Sequence, residues 1–385
     1  MSHYSPVREQ LNERMNNFMT DTNNQRKNRE GSGQRETREN LNSQVQKLQL
    51  EADIYQEGGN ISDYIFTLEK IYQKIKNERG FNKLQYEIAT QLQKYGSYEK
   101  SLLILLALYE VTSNSDSQTM KARDIAQYSD KALGDIKLGQ TSFLITLCID
   151  IGNGYFSSGE FEKALEYYSQ ALKDLQANDE CQLSCGQLYL NKGLCCLYLQ
   201  DYSVAERYFR KVIKTLVERM QDPRKDKLLV ISYKKIAFIQ EMCNEPNKAL
   251  MFYVKALKVG LNAYQPDNLE IIDLHYHICR CFFKLNKLKE GINRLEKVIY
   301  MINSRHESFK QESPVYLSRL GDYYALLGNL YFTQRQFDFA QRCFESSLKV
   351  WKEFGIQEAD LKCQKSLEFL KICNSYLMQD PNKTE

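Results

Sequence analysis

The stretch LITLCIDIGNGYFSSGEFEKALEYYSQALKDL, Leu144–Leu175, decides how the rest of the chain is read. Its first half places Leu144, Cys148, Ile151, Gly152 and Tyr155 at helical spacing, and its second half does the same with Phe161, Ala164, Leu165, Tyr168, Ala171, Leu172 and Leu175. Residues three or four apart share one face of a helix, so both halves predict an amphipathic helix. Between them Ser157-Ser158-Gly159-Glu160 breaks helical propensity and supplies a glycine for a tight turn. The pattern is one helical hairpin. Small residues on each stripe (Gly152, then Ala164 and Ala171) let the two backbones approach, while Tyr155, Phe161 and Tyr168 fill the space beside them.

The hairpin recurs. Positions equivalent to Ala164 are Tyr64, Ser101, Ala205, Ala249, Gly291 and Ala340, and the position twelve residues earlier is Ala52, Ala89, Gly152, Gly193, Ala237, Cys279 and Gly328 in turn. Four residues after each anchor stands a large apolar side chain: Leu68, Leu105, Tyr168, Phe209, Tyr253, Leu295 and Phe344. With Gly152, Tyr155, Ala164, Tyr168 and Ala171 in these columns, the segment resembles a tetratricopeptide repeat. Anchors from Ala164 onward are 41, 44, 42 and 49 residues apart, whereas the common unit of that family has about 34. The longer period resembles that of kinesin light chain-like adaptors. The extra residues fall in 217–227, 260–268 and 303–314, where Pro or polar clusters interrupt the apolar period.

Composition agrees with an all-α chain. In 385 residues there are only six prolines and eighteen glycines, too few for the turns of a β-rich fold, and 43% hydrophobic residues suffice for a core. Net charge is +3, which gives no reason to expect nucleic acid or a membrane surface as partner. The stretch 206–258 is more basic, with 13 Lys and Arg against 6 Asp and Glu. Eleven cysteines, an odd number, fall largely on apolar stripes and read as core thiols of a reduced, cytoplasmic protein. MSHYSPVREQLNERMNNF has no apolar run of signal-peptide length, and LLILLALY (Leu102–Tyr109) is too short to cross a bilayer and fits a buried helix.

The expected organisation is a disordered arm over 1–45, a repeat array over 46–356 and a capping helix over 357–379. Within the array we expect weaker repeats at 46–112, an extra helix at 119–136 and stronger repeats at 143–356. The resemblance implies a right-handed α-solenoid, a superhelix of antiparallel hairpins.

No chemistry is legible. His275, His277, Cys279 and Cys281 form the one compact group of metal-ligand types, but on a helix the pairs 275/279 and 277/281 point in nearly opposite directions. We therefore expect no metal, no cofactor and no catalytic residue. The glycines of IGNGYFSSG lie within and after a helix, so they do not form a phosphate loop.

What remains is interaction. In the family resembled, the first helix of each hairpin lines a concave groove, which implies Asn153, Asn191, Lys234, Lys235, Tyr276, Arg280 and Asn329 as groove residues. Ile149, Phe156, Leu194, Phe238, Glu241, Phe283 and Phe332 lie beside them. Asn donates and accepts at once, which suits the backbone of an extended peptide, and Lys and Arg suit carboxylates. The expected function is a non-catalytic scaffold or adaptor that holds a partner peptide or helix. By analogy with long-repeat adaptors, the context is a microtubule-based or ciliary assembly, with acidic tubulin tails or an axonemal complex as partner. The alternative is a co-chaperone that clamps a C-terminal carboxylate: Asn153, Asn191 and Lys235 match that clamp, whereas Ile149 and Ile231 stand where it has lysines.

Overall fold

The computed structural model describes residues 34–78, 81–114, 140–177, 182–219, 227–265, 268–304, 314–357 and 360–378. The expected helix at 119–136 and the first part of the expected arm lie outside them. Among the described residues are fifteen helices and no strand. They are α1 (Gln34–Glu57), α2 (Ile61–Ile75), α3 (Asn82–Lys94), α4 (Tyr98–Asn114), α5 (Gln140–Ser157), α6 (Phe161–Ala177) and α7 (Gln182–Tyr198). Then follow α8 (Tyr202–Arg219), α9 (Lys227–Met242), α10 (Pro246–Ala263), α11 (Leu269–Lys284), α12 (Leu288–Ser304), α13 (Pro314–Thr333), α14 (Phe337–Glu353) and α15 (Leu361–Met378).

The chain is all-α, with helices packed as sequential hairpins in the manner of a tetratricopeptide solenoid. Seven first helices (odd-numbered from α1 to α13) each precede a second helix that carries one of the anchors read from the sequence. Those anchors are buried, from Ala164, Ala205, Ala249 and Ala340 at 0% exposure to Tyr64 at 5%. One turn geometry serves all seven pairs. Five residues before each anchor the backbone enters the left-handed region, at Gly59, Gly96, Gly159, Gln200, Asn244, Asn286 and Arg335, with φ between 55° and 81°. That residue closes the first helix, and the following amide reaches back to a carbonyl of its last turn, as Glu160 does to Tyr155 at 2.9 Å.

The small columns are required by close approach. A Cβ on Gly152 would lie 2.6 Å from the Tyr168 ring, and one on Gly328 would lie 2.8 Å from the Phe344 ring. The array begins earlier than expected. α1 starts at Gln34, inside the segment read as an arm, because Gln, Glu, Arg and Lys after Gly33 are good helix formers and Val45 supplies a buried contact. Scattered apolar residues hid this, since among its described side chains Leu41, Val45, Leu48, Ala52 and Tyr55 form a thin stripe on the core.

The chain divides into two compact units, Met1–Asp201 and Tyr202–Glu385. In the first, one continuous core runs from Val45 to Cys195 and includes Leu102, Leu105 and Leu108 of the LLILLALY stretch. There α4 packs directly on α5, although residues 115–139 intervene in sequence. In the second, α15 covers the last pair: Phe369 stacks on Phe344 at 5.6 Å and meets Phe332 edge-on at 5.1 Å. No helix among the described residues is long and apolar enough to cross a membrane.

Candidate partner-binding surface

In the first unit, Asn153 on α5 and Asn191 on α7 come together. Tyr168 donates its hydroxyl to Asn153 Oδ1 at 2.8 Å, and Asn191 Nδ2 approaches the same oxygen at 3.5 Å. Gln187 donates to Asn191 Oδ1 at 2.9 Å. One turn before Asn153, Asp150 accepts from the Tyr86 hydroxyl at 2.7 Å, and burial pushes its carboxyl up to about 6 against the opposing hydrogen bonds from Tyr86 and Asn153. The two asparagines are thus members of an internal polar network with one edge open to solvent. Beside Asn191 the sequence reading missed Lys192, which is buried and donates to Ser169 Oγ at 2.8 Å. Its neighbour Gly193 belongs to the inward column, so spacing alone places it on the packed side and gives no sign of a buried cation.

In the second unit, two of the expected groove cations are already paired. Lys234 on α9 reaches Glu270 at 2.7 Å and Asp273 at 3.4 Å, both on α11, and Asp273 in turn binds Arg319 on α13. Arg280 lies 2.9 Å from Glu241, which also has Lys284 at 3.3 Å, His277 at 3.8 Å and the Tyr253 hydroxyl donating at 3.1 Å. Burial alone would raise the Glu241 carboxyl, but His277 and the charges of Arg280 and Lys284 outweigh it and hold it down at about 2. Ion pairs therefore tie successive first helices to one another.

Lys235 differs. Half-buried on α9, it makes no hydrogen bond or ion pair with the described residues, and burial together with the adjacent Lys234 charge lowers its pKa, Glu270 pulling the other way. Tyr276 on α11 is half-buried, with the Tyr323 ring at 5.1 Å and the Arg280 guanidinium 5.9 Å over its face. Asn329 on α13 carries a buried side-chain oxygen with no hydrogen-bond partner among the described residues. Phe238 and Phe283 are about one-third exposed on α9 and α11.

The suspected ligand group is dispersed among other partners. His275 Nδ1 faces the Arg294 guanidinium at 3.0 Å, Cys279 Sγ contacts the Gly291 carbonyl at 3.6 Å, and His277 stacks on Tyr253 at 5.0 Å.

The sequence matches the family described as tetratricopeptide repeat over residues 145–173 and 186–215, which cover most of the α5–α6 and α7–α8 pairs. No curated protein matches it. Among solved structures, the chain is similar to the Signal Transduction ATPase with Numerous Domains protein with a tetratricopeptide repeat sensor from Pyrococcus horikoshii, at 13% identity and a TM-score of 0.56, covering 86% of this chain and 44% of that one. BtubC (BKLC) from P. vanneervenii is similar at 14% identity and a TM-score of 0.50, covering 66% of this chain and 94% of that one. Kinesin light chain TPR-like repeats from Podosopora anserina are similar at 12% identity and a TM-score of 0.43, covering 58% and 97%. At these identities the likeness is one of fold.

Proposed function

We propose that this tetratricopeptide-repeat protein is a non-catalytic scaffold that holds a segment of a partner protein along the first-helix face of its hairpins. The observation that carries this reading is Lys235. The acid whose charge it feels, Glu270, is engaged by Lys234, and a half-buried ammonium with no ion pair of its own among the described residues costs free energy that a carboxylate of a bound segment would offset. Asn329 is a further half-buried polar side chain on a first helix of this unit, its buried oxygen unpartnered among the described residues. Phe238 and Phe283 offer apolar contacts. Tyr276 completes this face of the second unit, where Lys234 and Arg280 act by holding neighbouring first helices in register; Asn153 and Asn191 are the candidates on the first helices of the first unit.

The context we propose is a microtubule-based assembly, with acidic tubulin tails or an axonemal complex as partner. Its support is the basic excess over 206–258, reduced by the internal pairs of Lys234 and Arg210. The carboxylate clamp of co-chaperones has less support, because Asn153 and Asn191 already engage each other and Ile149 and Ile231 stand where it uses cations.

The test is recovery of partners from the source cell by the full chain and by Lys235→Glu. A partner recovered by the first and lost by the second is the expected result; identical recovery by both overturns the reading. Co-sedimentation with microtubules at low salt, lost as the Debye length falls to about 8 Å, tests the context.

A further inference from the structure

A different surface of the second unit is open in a way that the first-helix face is not. Between the second helices α8 and α10, above α9, lies a groove of about 910 Å³. In the second unit's core the anchors Ala205 and Ala249 and the aromatics Phe209 and Tyr253 turn inward and are fully buried. The groove is lined by what these helices leave outside, Ile213 and Val217 on α8 and Met251 on α10, with the buried Phe252 ring forming its floor. Val217 is 52% exposed and Met251 45% exposed, so apolar surface faces solvent on both walls.

The rim is basic. Arg210, Lys214, Lys248 and Lys255 stand against two acids, Glu206 and Glu218. Glu206 is occupied on both oxygens, by Arg210 at 2.6 Å and by Gln240 at 2.9 Å. Glu218 meets Lys214 at 3.8 Å between two side chains more than half exposed, a contact that water and salt screen. Lys255 has no carboxylate partner among the described residues; its ammonium lies 5.3 Å from the centre of the Phe252 ring, which also has the Arg210 guanidinium at 5.6 Å. Lys248 meets Glu245 at 3.5 Å, again between exposed side chains, so the apolar strip is flanked by weakly held cations and by Lys255, which has only the Phe252 ring beside it.

We propose that this groove docks an acidic amphipathic helix of a partner protein, its apolar stripe against Ile213, Val217 and Met251 and its carboxylates toward Lys255 and Lys214. Helix-in-groove recognition uses this division of labour. The wall from Glu206 to Glu218 is helical, so at 1.5 Å per residue it is roughly 18 Å long and matches about twelve residues of a docked helix. The site is separate from the Lys235 face, and the two can fail independently.

The probe is a fluorescein-labelled helical peptide of about fourteen residues, with Leu at positions i, i+4, i+7 and i+11 and Glu at most others, read by fluorescence anisotropy against the full chain. A second peptide has Lys in place of Glu. The acidic peptide is expected to bind and the basic one not, and Met251→Asp and Lys255→Glu are each expected to weaken binding by about tenfold, with Lys235→Glu without effect. Both substituted side chains are exposed, and unchanged circular dichroism verifies that the variants fold. Equal binding of the two peptides overturns the proposal, as does acidic-peptide binding indifferent to both groove variants. Loss on Lys235→Glu alone overturns it too, since the peptide then sits on the first-helix face. So does a dimer in sedimentation velocity that Met251→Asp dissolves, because a second copy then fills the groove.

Discussion

At the scale of single residues, the buried carboxylates are where this fold depends on charge. Glu241 has a folded pKa of about 2 against an ordinary 4.5, so its contribution to stability is complete above about 4.5 and is lost as pH falls toward 2. Glu241→Gln keeps the shape and removes the charge, leaving Arg280, Lys284 and the Tyr253 hydroxyl facing a neutral amide. We expect it to cost on the order of 3 kcal/mol at pH 7 by urea denaturation, with the deficit shrinking between pH 4.5 and pH 2. Asp150 has the opposite sign: burial raises its carboxyl to about 6 from 3.8, so the folded state binds the proton more tightly and stability falls as pH rises through that window. Asp150→Asn, which can still accept from Tyr86, should abolish that slope in urea midpoints measured across pH 4 to 6.5. The sequence showed Glu241 as a groove residue and no more. Its counter-ions come from the next hairpin, and which cation of α11 meets which acid of α9 depends on helix rotation, which periodicity fixes only to a face.

Among the helices, the turns carry the repeat as firmly as the packing does. All seven use one left-handed residue, yet the sequence reading found the turn at Gly159, where Ser and Gly announce it, and had no signal for Gln200 or Arg335. A side chain in this region costs about 1–2 kcal/mol that glycine avoids. Arg335→Gly should therefore raise the stability of the α13–α14 pair, by roughly 1 kcal/mol after the entropy of the unfolded glycine is allowed for. The small columns give the converse case. Gly152→Ala puts a methyl 2.6 Å from Tyr168, which must move and give up its bond to Asn153. The expected cost is about 1–3 kcal/mol, measured by thermal unfolding, and a neutral outcome would show that α5 and α6 separate freely. These columns were legible because close helix contact tolerates few residue types. The start of α1 was not, because a helix with a thin apolar stripe looks like a solvated tail.

For the whole molecule, the decisive property is that each hairpin is held by its neighbours. The first unit's core ends at Cys195 and contains no residue of α13, α14 or α15. The last pair belongs to a separate cluster, in which Ile292, Leu295 and Ile299 of α12 pack with Leu326, Leu327 and Leu330 of α13. Cutting the chain after Ser304 removes α13–α15 and bares that side of α12, so the loss falls on the nearest hairpins. We expect the fragment 1–304 to stay helical, with circular dichroism reduced by about the share of helix removed and a lower urea midpoint for the second unit. Hydrogen exchange should be faster in α11 and α12 and unchanged in α5 and α6. A fragment that loses all its helix at once would mean a single cooperative core rather than an array, and the independence of the two proposed binding surfaces would fall with it.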